Sequence, residues 1–476
     1  MTPFVGRKRE LQQLKELLNY KTAALVVVKG RRRIGKSRLI EEFAKHYQSL
    51  VITGLAPSKK VTAKHQREDF ARQLSRAFKI PLPSYADWSD LFWQLAQQIS
   101  TGRFVILLDE ISWMGSKDPT FLAKLKSAWD LSFKKNSKLI LVLCGSVSTW
   151  IEKNILSSTG FIGRIDLTLT LKELSLKECD EFWGKQKERI SAYEKLKVLA
   201  VTGGIPRYLE LISYTHNAEY NIKRLCFVKE GVLFGDFEKI FNDLFTKRAE
   251  TYKAILLCLI QKPQAELNDI FQCMKIKKTG VISSYLEDLI TSGFVQRDYA
   301  WSIKTMKKSK LSCFRISDNY IRFYLKYIYP NKDKISRDAY ANRALTTLPA
   351  WDSIMGLQFE NLIFQNRQLI QAMLHIDPAE IVYDNPYFQR RTKTQEGCQI
   401  DYMIQTKFNS IYPCEIKFSK QAISSSIVDE MKEKINKLTL PKNFSYRPVL
   451  IHVNGVDDSV IASEYFANII NFSEIF

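Results

Sequence analysis

The sequence predicts an α/β protein in which a parallel-sheet core, a helical lid, a winged helix and a C-terminal α/β domain follow one another. Three observations predict it. Apolar runs of strand length alternate with helical periodicity from Ala24 to Ser146, the mark of βαβ units. Three helical patterns followed by a strand pair occupy 246–330. After residue 350 a helix, three strands, a helix and a strand come in that order.

Each element has its own signal. In "FVGRKRELQQLKELL", residues 4–18, Leu11, Leu14, Leu17 and Leu18 recur at amphipathic-helix spacing. "ALVVVK" reads as a buried strand, "SRLIEEFAKHY" as a helix and "VIT" at 51–53 as a short strand. The breaker "PLPSY" separates the helices "EDFARQLSRAF" and "WSDLFWQLAQQI", and "RFVILLDEI" and "SKLILVLCGS" are two further buried strands with a helix between them. From 171 the pattern is helical, with "GGIPRYLELI" as a turn feeding a helix. "TYKAILLCLIQ", "AELNDIFQCM" and "GVISSYLEDLITSG" then precede the pair "FVQRD" and "LSCFRIS", the winged-helix order. Lys275, Lys277 and Lys278 precede its third helix, and its predicted wing carries Lys304, Lys307, Lys308 and Lys310, placed to meet phosphates. The polar run "PNKDKISRDAYANR" reads as a linker. The expected boundaries are 1–170 for the core, 171–243 for the lid, 244–330 for the winged helix, 331–349 for the linker and 350–476 for the last domain.

Composition narrows the functional classes. Hydrophobic residues make up 45% and charged residues 25% of 476, the balance of folded globular protein over about three domains. Lys and Arg number 71 against 50 Asp and Glu, so the net charge is +21 and polyanions, nucleic acid first and DNA foremost, are the expected partners. Eight cysteines without C-x-x-C spacing read as reduced, buried thiols of a cytoplasmic protein. The opening "MTPFVGRKRE" gains charge before any apolar stretch, and no uncharged run approaches the ~18 residues of a membrane span, so neither a leader nor membrane insertion is expected.

The chemistry begins at Gly30. Residues 30–37, "GRRRIGKS", satisfy G-x-x-x-x-G-K-(S/T) between a buried strand and a helix, where backbone N–H groups and the helix N-terminus cradle phosphates. The binding set is Gly30, Arg31, Arg32, Arg33, Ile34, Gly35, Lys36, Ser37 and Arg38: Lys36 neutralises the β and γ oxygens, and the Ser37 hydroxyl ligates Mg²⁺. "FVILLDEI" ends a strand with Asp109, placed to support the same metal, and Glu110, placed to orient and deprotonate water. Ser146 and Ser148 end the next strand, where either hydroxyl can report the γ-phosphate. Arg164 and Arg207 are candidate cations for transferred charge, within one chain or, in a homo-oligomer, across a subunit boundary.

In order, "FVGRKREL", "GRRRIGKS", "LLDEI", "CGS", "GR" and "GGIPRYL" resemble the archaeal-type ATPases of the AAA+/STAND group. The resemblance implies that ATP is the nucleotide and that Val5, Gly6 and Arg7 lie near adenine and ribose. It also implies that the segment from Gly204 to Pro206 packs a helical lid onto the nucleotide. No signature of an ABC transporter or a small GTPase is present.

Beyond 350, Glu415 and Lys417 project to one face of a strand, because alternate strand residues share a side, and Asp401 lies on a neighbouring strand where it can join Glu415. With their α, β, β, β, α, β order they resemble the PD-(D/E)xK nuclease-like, DUF234-like domain attached to that ATPase family. The resemblance implies Mg²⁺ held by Asp401 and Glu415, support from Lys417 and an extra acid at Glu360. Ile400 stands where the family has proline, and Pro413 interrupts the third strand's ladder. The sequence therefore points to an ATP-binding and hydrolysing switch coupled to a nucleic-acid-binding domain with nuclease residues. The alternative is an ATP-gated signalling or scaffold protein, with slow turnover and a decayed nuclease fold that binds a protein partner.

Overall fold

A computed structural model describes residues 3–56, 58, 60–146, 148–245, 248–393 and 395–476, without the side chains of 148 and 242–245. The chain forms two compact units. The first comprises Met1–Leu174, Ile205–Glu210 and Asn242–Thr246; the second comprises Ser175–Gly204, Leu211–Phe241 and Lys247–Phe476.

In the first unit a parallel sheet takes the order β2-β3-β4-β1-β5. Its strands are β1 (Ala24–Lys29), β2 (Gln48–Thr53), β3 (Phe104–Asp109), β4 (Ile140–Gly145) and β5 (Leu167–Thr170). β1 pairs with β4 from Ala24↔Ile140 to Lys29↔Gly145, and both are buried on each face, which is why they read as unbroken apolar runs. β5 was not expected: its alternating "LTLT" is too short to stand out, and it is fixed by pairing with Val26–Lys29 of β1.

The helices of this unit are α1 (Lys8–Glu16), α2 (Lys36–Ala44), α3 (Ala63–Phe78), α4 (Trp88–Gln98), α5 (Ile111–Met114) and α6 (Phe121–Leu131). One side of the core is aromatic. Trp88 lies 5.3 Å from Phe70, 5.5 Å from Phe92 and 4.8 Å from Phe121 between ring centroids.

The second unit holds two sheets. Helices Ala249–Gln261, Leu267–Cys273 and Gly280–Thr291 precede a three-stranded sheet of order β6-β8-β7, with β6 (Ala265–Glu266), β7 (Val295–Ser302) and β8 (Lys307–Ile316). The larger sheet has the order β14-β13-β11-β10-β9. It contains β9 (Ile381–Gln389), β10 (Cys398–Thr406), β11 (Ser410–Ile416), β13 (Val449–His452) and β14 (Asn468–Asn471), with β12 (Ser445–Tyr446) paired to β11. β9, β10 and β11 are antiparallel, whereas β11, β13 and β14 run parallel.

Three sequence expectations change here, while that for Pro413 holds on one side of β11: the ladder breaks between Ile411, the last residue paired with β12, and Cys414, the first paired with β13, and pairing with β10 carries the strand across. The missing N–H falls in the gap between two neighbours. Residues 331–349 are not a free linker, because Ile335, Tyr340, Leu345 and Leu348 are buried and Tyr340 stacks on Phe227 at 5.2 Å. Their apolar residues are too few for a periodic signal, yet enough to anchor the segment.

The cysteines are not all thiols. Cys258 and Cys273 form a disulfide, while the other six are buried thiols. The hairpin β7–β8 is not a free wing either: Trp301 and Ile303 share a core with Ile400, Met403, Ile427 and Met431 of the large sheet and its helix.

Candidate functional site

The loop from Gly30 to Ser37 needs backbone freedom at fixed points. Gly30 has φ 151°, and a Cβ there would lie 2.6 Å from the Leu171 carbonyl oxygen, so only glycine fits. Gly35, at φ 87°, caps the start of α2. Lys36 is buried and its ammonium donates to the carbonyls of Gly30 and Arg31, each at 3.1 Å. The Ser37 hydroxyl donates to an Asp109 carboxylate oxygen at 2.6 Å.

Those two oxygens suit a hard cation. Mg²⁺ takes one or two protein oxygens and completes its shell with phosphate and water, so Ser37 and Asp109 would hold it. When bound it supplies charge neutralisation at the β and γ oxygens.

Glu110 follows β3 in a left-handed backbone conformation, φ 51° and ψ 49°. Its carboxylate accepts from the Ser146 N–H at 3.1 Å and from the Ser146 hydroxyl at 2.9 Å, so the residue that follows β4 fixes the orientation of this carboxylate. The side chain of Ser148 lies outside the described residues. Cys144, under the same strand ends, has its thiol pushed well above its ordinary range by burial and then by Asp109, so it stays protonated.

The arginines divide into braces and surface pairs. Arg7 is buried with φ 60° and donates to the Ile34 carbonyl at 3.2 Å and the Lys172 carbonyl at 2.5 Å, tying the segment of Val5 and Gly6 to the loop. Ile34 itself is fully buried. Arg31 pairs with Glu173 at 3.1 Å, Arg32 lies over Trp113 at 5.8 Å, and Arg33 takes φ 72°. Arg38 lies 3.7 Å from Glu41.

Arg164 makes its hydrogen bonds to Asp130 on α6, at 2.9 to 3.2 Å, and this holds the Asp130 carboxyl down at about 2. Arg207 pairs with Glu210 at 3.0 Å. Pro206 comes closer to the loop, its ring 3.9 Å from where a Gly35 Cβ would be.

The second cluster lies on the large sheet. The β9–β10 register slips between Ile400 and Met403, and this bulge carries Asp401 beside Glu415 of β11. Glu415 is 2% exposed. One of its oxygens accepts from Lys417 at 3.0 Å and the other from Lys434 at 2.5 Å. Asp401 has one oxygen 3.7 Å from the same Lys434 ammonium and the other accepting the Ile416 N–H at 3.0 Å. Lys417 also donates to Glu430 at 3.0 Å.

Burial, and then the neighbouring Glu415, pushes the Asp401 carboxyl up; burial and then Asp401 does the same to Glu360. Asp401, Glu415 and Lys417 thus converge, with Glu360 close enough to feel them. Lys434 and Glu430 were missed by sequence reasoning. Their signal was an i, i+4 pair on the face of helix Ser426–Lys437, ordinary for an exposed helix.

The residues do not fit the divalent ion implied for this cluster. All four carboxylate oxygens already face an ammonium or an N–H. Among the described residues no three His, Cys, Asp or Glu side chains gather as metal ligands.

Comparison with known proteins bears on the domain that carries the first site. Residues 4–212 match the family model of an ATPase domain predominantly from Archaea. An uncharacterized protein of Methanocaldococcus jannaschii is 29% identical over 367 residues, 75% of this chain and 76% of the relative. The Walker-type ATPase of Pyrococcus abyssi shares the fold, with a TM-score of 0.51 at 18% identity over 68% of this chain and 96% of that one. The ORC2 protein of Aeropyrum pernix, in complexes with ADPNP and ADP, reaches a TM-score of 0.46 at 14% identity over 72% and 97%. Residues 4–212 are therefore an ATPase domain of the kind found predominantly in Archaea, and the protein is an ATPase.

Proposed function

We propose that the protein is an AAA+/STAND-type switch in which ATP binding and Mg²⁺-dependent hydrolysis at the Gly30–Ser37 loop change how the second unit engages nucleic acid, DNA foremost. The observation that carries the ATPase half is the hydrogen bond from Ser37, next to Lys36 in the loop after β1, to Asp109 at the end of β3, where Glu110 follows. Glu110 takes a proton from attacking water, Ser146 holds it in position, and Lys36 meets developing negative charge.

Two continuous features support the coupling. Pro206 beside Gly35 is joined through Gly203 and Gly204, at φ 63° and 71°, to helix Ala192–Thr202 of the second unit. Tyr193 of that helix stacks at 5.0 Å on Phe418, next to Lys417. A winged-helix reading of 244–330 supplies the nucleic-acid face, since Lys275, Lys277, Lys278, Lys304, Lys307, Lys308 and Lys310 are all exposed.

The test is DNA binding by the full chain with ATP, ADP and no nucleotide, in wild type and Glu110→Gln. Turnover slowed by about 10²–10⁴ in Glu110→Gln, with DNA affinity locked at its ATP-bound value, supports the switch. DNA affinity indifferent to nucleotide ends it. A second reading, an ATP-gated scaffold with a decayed nuclease-like domain and a protein partner, draws on the neutralised Asp401–Glu415 pair. It would be selected by an absence of salt-sensitive DNA binding.

A further inference from the structure

The two sheet carboxylates share one ammonium. Lys434 reaches across from helix Ser426–Lys437 to lie 2.5 Å from Glu415 and 3.7 Å from Asp401. A divalent ion bridging the same two oxygens would have to lie about 2.0–2.1 Å from each, inside the van der Waals envelope of that nitrogen. Neither remaining oxygen is open. Lys417 takes one of Glu415, and the Ile416 N–H takes one of Asp401.

Lys434 is also well seated. The stem of helix Ser426–Lys437 is fixed by buried Ile427, Val428, Met431 and Ile435, which share a core with Ile400 and Met403. Its ammonium is thus delivered by packing to the carboxylate pair. Two carboxylates this close repel one another, and a single positive charge between them offsets that repulsion much as a metal does.

We propose that Lys434 is the resident cation of the Asp401–Glu415 pair and keeps divalent metals out of it. The inference rests on the nuclease-like reading only in its choice of a metal as the competitor. It assigns Lys434 a positioning role: it sets what the carboxylates hold and touches no reacting atom.

The probe is Mn²⁺ alone, titrated into the nucleotide-free full chain and followed by electron paramagnetic resonance. Lys434→Met is expected to bind Mn²⁺ at least about tenfold more tightly than wild type, and Asp401→Asn in the same background to abolish the gain. Equal affinity in wild type and Lys434→Met overturns the proposal.

If Lys434→Met does not fold, Lys434→Gln keeps a hydrogen-bond donor without the charge, and the same gain is expected. A measurement on unaltered protein stands beside both. Modification of Lys434 by an amine-reactive ester, read by mass spectrometry, should not rise when millimolar Mn²⁺ is added. A Mn²⁺-dependent rise shows the ammonium displaced and overturns the proposal.

A DNA cleavage assay separates the two ideas. Cutting by wild type that requires Mn²⁺ and Asp401 sinks the exclusion while sparing the nuclease-like reading. Tight Mn²⁺ binding by Lys434→Met without any cutting sinks that reading and leaves the exclusion standing.

Discussion

Glu110 is held in a left-handed conformation that costs a non-glycine residue about 1–2 kcal/mol. The backbone there turns directly into α5, and the Trp113 N–H closes the first turn onto the Glu110 carbonyl at 2.8 Å, so local hydrogen bonding sustains the strain. Because Ser146 contacts Glu110 through both N–H and hydroxyl, Ser146→Ala should slow ATP turnover less than Glu110→Gln. The double variant should be no slower than Glu110→Gln alone, since the serine acts through the glutamate. Steady-state ATPase rates of the four proteins check this. Asp130 gives a pH prediction. Its carboxyl is depressed to about 2 by hydrogen bonds from Arg164. Its stabilisation is therefore complete above the ordinary value of ~3.9 and is lost as pH falls through about 2. Urea unfolding of wild type and Arg164→Gln should show a shallower acid slope in the variant between about pH 5 and pH 2.

The hairpin β7–β8 shows what a pattern carries and what it leaves out. Its lysines were legible as a basic tip because charge is a property of each residue. Its docking was not, since Trp301 finds its partners about a hundred residues later in the chain: its indole N–H donates to Gln405 at 2.6 Å, and Gln405 donates in turn to the Ile303 carbonyl at 2.8 Å. Trp301→Ala should destabilise the second unit by about 3–5 kcal/mol, measured by urea unfolding. The same distinction runs through the site. Residues 30–37, Asp109 and Glu110 were readable because loop, strand end and helix start are contiguous. Glu415 and Lys417 were readable as a pair because strand periodicity gives them one face, and Asp401 through the family resemblance, while its place beside Glu415 depends on the bulge in β10. Lys434 was not, because only packing of helix Ser426–Lys437 over β10 and β11 brings it in. β14, the Cys258–Cys273 bond and the anchoring of 331–349 were hidden for the same reason: each depends on a partner that no local spacing names.

Across the whole molecule, the +21 charge is a statement about polyanions rather than about the fold. If the second unit neutralises about 6–10 phosphates, DNA affinity should fall by about 10³–10⁵ between about 50 and 200 mM salt. Replacing Lys275, Lys277 and Lys278 by alanine should reduce the log–log salt slope by about one for each lysine that meets a phosphate, read by fluorescence anisotropy. The connectivity carries a further consequence. Ile205–Glu210 and Asn242–Thr246 belong with the first unit while the stretches on either side belong with the second, so the polypeptide passes back and forth between them. No single stretch of sequence corresponds to either unit. A gene fragment ending at Leu174 would encode the phosphate loop without the proline that neighbours it, and one protease cut could not release either body whole. The enzyme is woven rather than strung, and evolution or an engineer must exchange its halves together.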